Sequence, residues 1–311
     1  MSEVLHGLVA PFAEIAGNPA FFAEVLIGGV AAGLMYSLVA LGFVLIFKAS
    51  GVFNFAQGVM VLFAALTLVG LMERGLPVPV ALVLTIGVMV LLAFAIERIV
   101  LRPLVNQEHI ILFMATIGLS YFLEGFGELL WGSNVKKLDV GIPDTSFMIR
   151  GVQINKLEMT AALTAAVLVT VLAVFFQKTR IGRALRAVAD DHEAALSIGI
   201  PLKTIWVVVW SVAGLVGLVA GIMWGAKSGV QFSLSLIALK ALPVLILGGF
   251  TSVPGAIVGG VIIGVGEKLG EVYWGPLVGG AIENWFAYVL ALAFLLFRPQ
   301  GLFGERIIER V

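Results

Sequence analysis

The residues with the clearest chemical pattern lie in RIGRALRAVADDHEAALSIGIP, residues 180–201, a charged stretch between two long apolar runs. Arg183, Arg186, Asp190, Glu193 and Ser197 recur at spacings of three and four, and Leu185, Val188, Ala189, Ala195 and Leu196 share the opposite side. That period gives an amphipathic helix, or two short ones. Asp190 is placed to cap a second helix, with Glu193 three residues later completing a capping box, and Gly199 before Ile200 and Pro201 is placed to end it. On pattern alone the stretch is either a solvated loop lying on lipid headgroups or a docking helix for a soluble partner.

A second set of ionisable residues falls inside apolar runs. Glu124 and Glu128 stand one helical turn apart, Lys240 is in mid-segment, and Glu267, Lys268 and Glu271 lie toward the end of theirs. A charge at the centre of a bilayer costs at least about 2.5 kcal/mol on insertion scales, so each needs a reason. Pairing across helices, snorkelling or protonation serves for most; a proton relay is the functional alternative. Glu97, Arg98 and Arg102 are expected to be interfacial anchors. Enzymatic chemistry finds no support: His6, His109 and His192 lack metal-ligand spacing, no Gly-Lys-Ser/Thr phosphate loop occurs, and no serine sits in a nucleophile elbow.

The elements that must position these residues are membrane helices. Hydrophobic residues make up 60% and charged residues 12% of the 311, with a mean hydropathy of +1.10, against about 25% charged in a soluble domain. Apolar segments run approximately 21–47, 53–72, 77–97, 109–131, 158–176, 203–226, 232–250, 254–272 and 281–297. The fold class is therefore an all-α integral membrane protein, a polytopic helical bundle with about 8–9 transmembrane or half-spanning segments. A barrel would need alternating polarity, which is absent. No basic tract suggests nucleic acid, and with no cysteine, thiol chemistry is excluded. The start has Glu3 and Glu14 but no Lys or Arg, so it lacks the n-region of a cleaved signal, and the first apolar run is expected to be retained.

Orientation follows from the basic residues of short loops. Lys48, then Arg98 and Arg102, then Lys178, Arg180, Arg183 and Arg186, then Arg298, Arg306 and Arg310 all fall on one face of a nine-pass chain. That face is expected to be cytoplasmic, with the N-terminus outside and the C-terminus inside. The loop 132–157 dissents, carrying Lys136, Lys137, Arg150 and Lys156 on the outer face, offset in part by Asp139, Asp144 and Glu158. Within it, residues 140–154 suggest a short external hairpin.

Glycine numbers 37, well above the usual 7% or so, and clusters at residues 28–33, 214–225 and 248–280, where close helix packing is expected. SGVFNFAQGVMVLF aligns with LGGFTSVPGAIVGG through Gly51/Gly248, Phe53/Phe250, Gly58/Gly255 and Val61/Val258. Both interrupt apolar runs, as transporter helices do beside a binding site. Asn54, Gln57 and Gly58 in one, and Thr251, Ser252 and Gly255 in the other, are therefore candidates for the substrate pathway, with caps and close packing as the alternative use.

The segment EAALSIG, with Glu193, Ala194, Ala195 and Gly199, matches the EAA-x-x-x-G signature of ABC importer permeases, and its flanks resemble permeases of the branched-chain amino acid (LivH-type) family. GLMYSLVALGFVLIFKASGVFNFAQG, ERIVLRPL, LFMATIGLSYFLEG, KALPVLILGGFTSVPGAIVGGVIIGVGE and FRPQGLFG resemble stretches of that family in the same order. Two departures, FNFAQG for the common INFAHG and Pro243 inside an apolar run, bear on the substrate. The resemblance implies one permease domain over 1–311, with 178–203 as a cytoplasmic coupling-helix loop and 132–157 as an external loop, in a bacterial inner membrane. Gly182, Arg183, Arg186, Asp190, Glu193, Ala194, Ala195 and Gly199 would then meet the ATPase, Ala194 and Ala195 at the contact and the two arginines on lipid phosphate or partner acids. It further implies a second related permease subunit, two cytoplasmic ATPase subunits and an external substrate-binding protein. ATP and Mg would be bound by those partners and no cofactor by this chain. Substrates are expected to be branched-chain or other hydrophobic amino acids, with urea, amides or aromatic acids as alternatives; an ion-coupled secondary transporter or channel is the rival class.

Overall fold

A computed structural model describes residues 2–104, 107–190 and 192–304, with only the backbone of 2–8, 192 and 193. Helix α1 (Ser2–Gly17) leads into α2 (Pro19–Ser50), then α3 (Gln57–Glu73), α4 (Val78–Ala95) and α5 (His109–Trp131). A hairpin of β1 (Ser146–Ile149) and β2 (Val152–Asn155) precedes α6 (Lys156–Lys178). The short α7 (Arg180–Asp190) and α8 (His192–Ser197) follow, then α9 (Leu202–Ser228), α10 (Ile237–Gly248), α11 (Val253–Leu269) and α12 (Glu283–Phe297).

Each of the nine apolar segments carries a helix. Six of these helices are long and apolar enough to cross a membrane: Pro19–Ser50, Val78–Leu104, His109–Trp131, Lys156–Lys178, Leu202–Ser228 and Val253–Val278. Gln57–Glu73, Phe232–Gly248 and Glu283–Phe297 are shorter. Two of the three follow non-helical chain, residues 51–56 before α3 and 229–231 before the 3-10 turn Phe232–Leu236 that leads into α10.

Helix α2 is the axis of the bundle, with Leu38, Val39, Ala40, Leu41, Val44 and Leu45 at most 1% exposed. It starts at Asn18, whose side chain accepts from the Phe21 amide at 3.1 Å, and stops at Gly51 with φ 68°. Its main neighbour is α11, met antiparallel through Gly29 and Gly33 against Gly260 and Gly264. A Cβ at Gly33 would collide with the Gly260 carbonyl, and one at Gly264 with the Gly33 amide nitrogen, so the two backbones are in contact. Lipid tails are as apolar as leucine, so helices associate by such close approach and not by burying grease.

One end of the bundle collects the basic residues. Lys48 Nζ donates to the Thr251 carbonyl at 3.4 Å, the amides of Leu302 and Phe303 donate to Leu247 and Gly248 at 2.8 and 3.2 Å, and α7 leaves the end of α6 there. Arg306 and Arg310 lie outside the described residues. The opposite end holds the loop whose positive charge conflicted with the orientation. Lys136 there is ion-paired with Glu73, and its backbone pairs with Val230 at 2.9 and 2.8 Å. Lys227 from α9 meets Glu158 at 2.6 Å. The expected hairpin forms over 146–155, closed by Arg150 and Gly151 with φ 52° and 84°, as a two-residue turn of primed type requires.

Glu97 departs from expectation. It is 4% exposed, inside a π-helical turn over Ile96–Leu101, while Arg98 and Arg102 are exposed. The wide turn rotates the carboxylate inward, which a regular helical count does not foresee.

Leucine at Gly33 should lower stability by about 1–3 kcal/mol or more, whereas leucine at Gly28, where a Cβ meets nothing within 4 Å, should change it by about 0.5 kcal/mol at most. Thermal unfolding of the detergent-solubilised protein, followed by tryptophan fluorescence, measures both.

Candidate functional site

The charged stretch forms two short helices bound tightly to the bundle. Thr179 is the one non-helical residue between α6 and α7, and its hydroxyl accepts from the Gly182 amide at 3.1 Å, capping α7. A Cβ on Gly182 would collide with the Phe176 carbonyl, so glycine permits the close return of α7 across the end of α6. Arg186 donates to the carbonyls of Phe176 at 2.7 Å and Gln177 at 3.4 Å, and Arg183 to that of Lys178 at 3.4 Å. Both guanidinium groups thus satisfy the last carbonyls of α6, where positive charge is favoured. Arg183 remains exposed and Arg186 part-buried while making these bonds within their own chain.

Leu185, Val188 and Ala195 are at most 2% exposed and anchor the pair of helices inward. Ala194 is on the exposed side, so only one of the two alanines faces outward. Leu196 and Ile198 are 51% and 73% exposed. Leu196, which a continuous helical count puts on the inward side, faces outward. Asp190 is exposed and ends α7. The capping box it would form with Glu193 falls on residue 191 and the side chain of 193, outside the described residues. The stop at Gly199 is a left-handed turn with φ 85°. The Ile200 amide bonds back to the Ala195 carbonyl and the Gly199 amide to that of Leu196, both at 3.0 Å, the pattern of a Schellman closure.

Local hydrogen bonds and close packing engage most of the positions singled out in the interrupted stretches. Asn54 and Gln57 are fully buried. Asn54 Oδ1 accepts from the Ala56 amide at 3.0 Å, its amide nitrogen donates to Gln57 Oε1 at 3.5 Å, and Gln57 donates to the Ala213 carbonyl at 3.4 Å. Thr116 of α5 supports the same loop, its hydroxyl 3.2 Å from the Phe55 amide and 3.3 Å from the Phe53 carbonyl. Non-helical backbone at membrane depth needs such partners. Gly58 lets α3 approach the Ser235 carbonyl. Ser252 caps α11 through the Gly255 amide at 3.0 Å, and Gly255 packs on the Gly248 carbonyl.

Thr251 and Ser252 face a cavity of about 240 Å³ that also includes Lys48, Gly182, Leu185 and Arg186. The second interruption therefore lies beside α7 at the basic end of the bundle. Five of the six candidates take part in caps or close packing, and Thr251 lines this cavity. The two interruptions meet directly, the rings of Phe53 and Phe250 being 6.5 Å apart.

The intramembrane charges divide by location. Lys240 Nζ lies 2.9 Å from Glu267 Oε1 and 3.8 Å from Glu283, and the Tyr36 hydroxyl donates to the same Glu267 oxygen at 2.9 Å. Glu271 accepts from the amides of Ala281 and Glu283, both at 2.9 Å, and so organises the start of α12. Glu128 is exposed and Glu124 half-buried on α5. The sequence pointed to Lys240 and Glu267 separately; no local signal joins partners 27 residues apart, or Tyr36 to a carboxylate 231 residues away.

The family model described as "Branched-chain amino acid transport system / permease component" matches residues 25–298. The chain belongs to this permease family. The permease is 28% identical over 305 residues to the high-affinity branched-chain amino acid transport system permease protein BraD of Pseudomonas aeruginosa, covering 93% of this chain and 98% of that one. It is 28% identical over 310 residues to LivH of Escherichia coli, covering 94% and 98%. A probable LivH of Methanocaldococcus jannaschii is 27% identical over 297 residues, covering 90% and 92%.

Replacing Arg186 by alanine in this permease removes hydrogen bonds of a kind worth roughly 1.5–3 kcal/mol. Amide hydrogen exchange over residues 176–186 should accelerate by about tenfold or more, with α2 and α11 unchanged.

Proposed function

We propose that the chain is the membrane-spanning permease subunit of an ATP-driven importer for branched-chain or other hydrophobic amino acids. Kinship along residues 25–298 with permeases of branched-chain amino acid transport systems carries this reading. Helices α7 and α8 receive the ATPase, and hydrolysis takes place on that separate subunit. Leu196 and Ile198 offer it an apolar face, with Asp190 and Ala194 also exposed on these helices.

A lever that transmits force must be stiff along its length and tied to what it moves. The fold around α7 supports that role: Arg186 and Gly182 lock it to the end of α6, and its cavity borders Thr251 and Ser252 at the start of α11. Displacement of α7 by the ATPase then moves α6 and the α10–α11 corner together and reopens the bundle on the other side. The basic end is cytoplasmic on this reading, with the N-terminus outside, in a bacterial inner membrane. A second related permease completes the pathway, and an external binding protein delivers substrate at the hairpin end.

Glu193→Lys and Gly199→Glu should each abolish ATP-dependent leucine uptake while the permease remains in the membrane at normal abundance. The second also forces a side chain into φ 85°. Wild-type uptake by both variants would overturn the assignment of α7 and α8 to the ATPase.

A further inference from the structure

Where α9 ends, the chain turns back and borders an open cavity of about 280 Å³ lined by Trp224, Ser228, Gln231, Ser233 and Lys240 together with Leu234, Leu236 and Ile237. It lies at the hairpin end, since neighbouring Val230 is paired with Lys136. Two of its donors are incompletely used. Lys240 has three N–H donors, one of them committed to Glu267, and its side chain is 20% exposed. The indole N–H of Trp224 is buried and has no hydrogen-bond partner among the described residues. Native structures seldom leave such a group unmatched, and each instance calls for an explanation.

One buried network holds both donors in place. The Trp224 ring stacks on Tyr36 with centroids 5.7 Å apart and planes 14° from parallel. Tyr36 donates its hydroxyl to the Glu267 oxygen that also holds Lys240, and Glu267 is 1% exposed. The charges also define the ligand. Lys240 brings one positive charge, whereas Glu267 and the 39% exposed Glu283 bring two negative ones. A simple anion is therefore repelled, while a zwitterion can give its carboxylate to Lys240 and Trp224 and its ammonium to Glu283.

We propose that this cavity is an outer substrate station that binds an α-amino acid with an apolar side chain. Lys240 and Trp224 receive the carboxylate, Glu283 the ammonium, and Leu234, Leu236 and Ile237 the side chain. The proposal rests on the substrate class given above and adds where that substrate is held.

The complete importer, reconstituted in proteoliposomes with its ATPases and leucine-loaded binding protein, provides the test. Trp224→Phe keeps the stacked ring and removes the N–H; Gln231→Leu with Ser233→Val makes the cavity wall apolar. Leucine moved per ATP hydrolysed should fall roughly tenfold in each, with binding-protein-stimulated hydrolysis within about twofold of wild type. Lys240→Gln should do the same, and if its loss of the buried pair prevents assembly, the other two variants suffice. A wild-type ratio in both overturns the station alone. A wild-type complex that hydrolyses ATP and moves no leucine overturns the substrate reading, and this proposal with it.

Discussion

The contact between the backbones of α2 and α11 is the constraint on which the rest of the permease depends. In lipid, two apolar helices gain little from meeting through large side chains, so a stable bundle needs a seam where the chains themselves touch. Gly29 and Gly33 face Gly260 and Gly264 along this seam, and a methyl group on Gly33, Gly260 or Gly264 would strike opposing backbone. With α11 fixed on α2, Glu267 reaches Tyr36, and α10, held by Gly248 against Gly255, brings Lys240 to the same carboxylate. The buried ion pair follows from the glycine seam.

The same constraint governs the other end. Fixing the start of α11 beside the end of α2 places Thr251 within reach of Lys48 and beside Arg186 of α7. Helix α7 thereby contacts the seam at its base, and α6 through two arginines and a glycine. The outer two connections of this pair of helices are closed, α6 to α7 by the Thr179 hydroxyl and α8 to α9 by the turn at Gly199. On the proposed function, stiffness at this corner and glycine contact along α2 are what would let energy released on a partner act on the interior of this chain.

Much of this was legible in the sequence. The nine apolar segments, the short hairpin, the two short helices and the turn at Gly199 are local matters of period and turn chemistry, and all are observed. The family itself could be read from ordered motifs. The candidate site was less legible because a polar residue in an apolar run looks the same whether it binds a ligand or satisfies its own backbone. Asn54 and Gln57 hold the non-helical entry to α3, and Ser252 caps α11. Arg183 and Arg186 looked like surface charges until the sharp return at Gly182 brought the open carbonyls of α6 beneath them. Trp224 gave no sign at all, because its unmatched N–H is a property of the folded neighbourhood and not of any sequence pattern.

The absence of cysteine from the natural chain permits a direct measurement of where the driving force enters. A single cysteine at Ile198, an exposed apolar position beside Gly199, can be cross-linked by a short bifunctional reagent to the ATPase in membranes. It should give a covalent permease–ATPase product whose yield changes with ATP, while a cysteine at exposed Met148 in the external hairpin gives none. Cross-linking at Met148 with none at Ile198 would contradict both the docking role of α7 and α8 and the orientation of the chain.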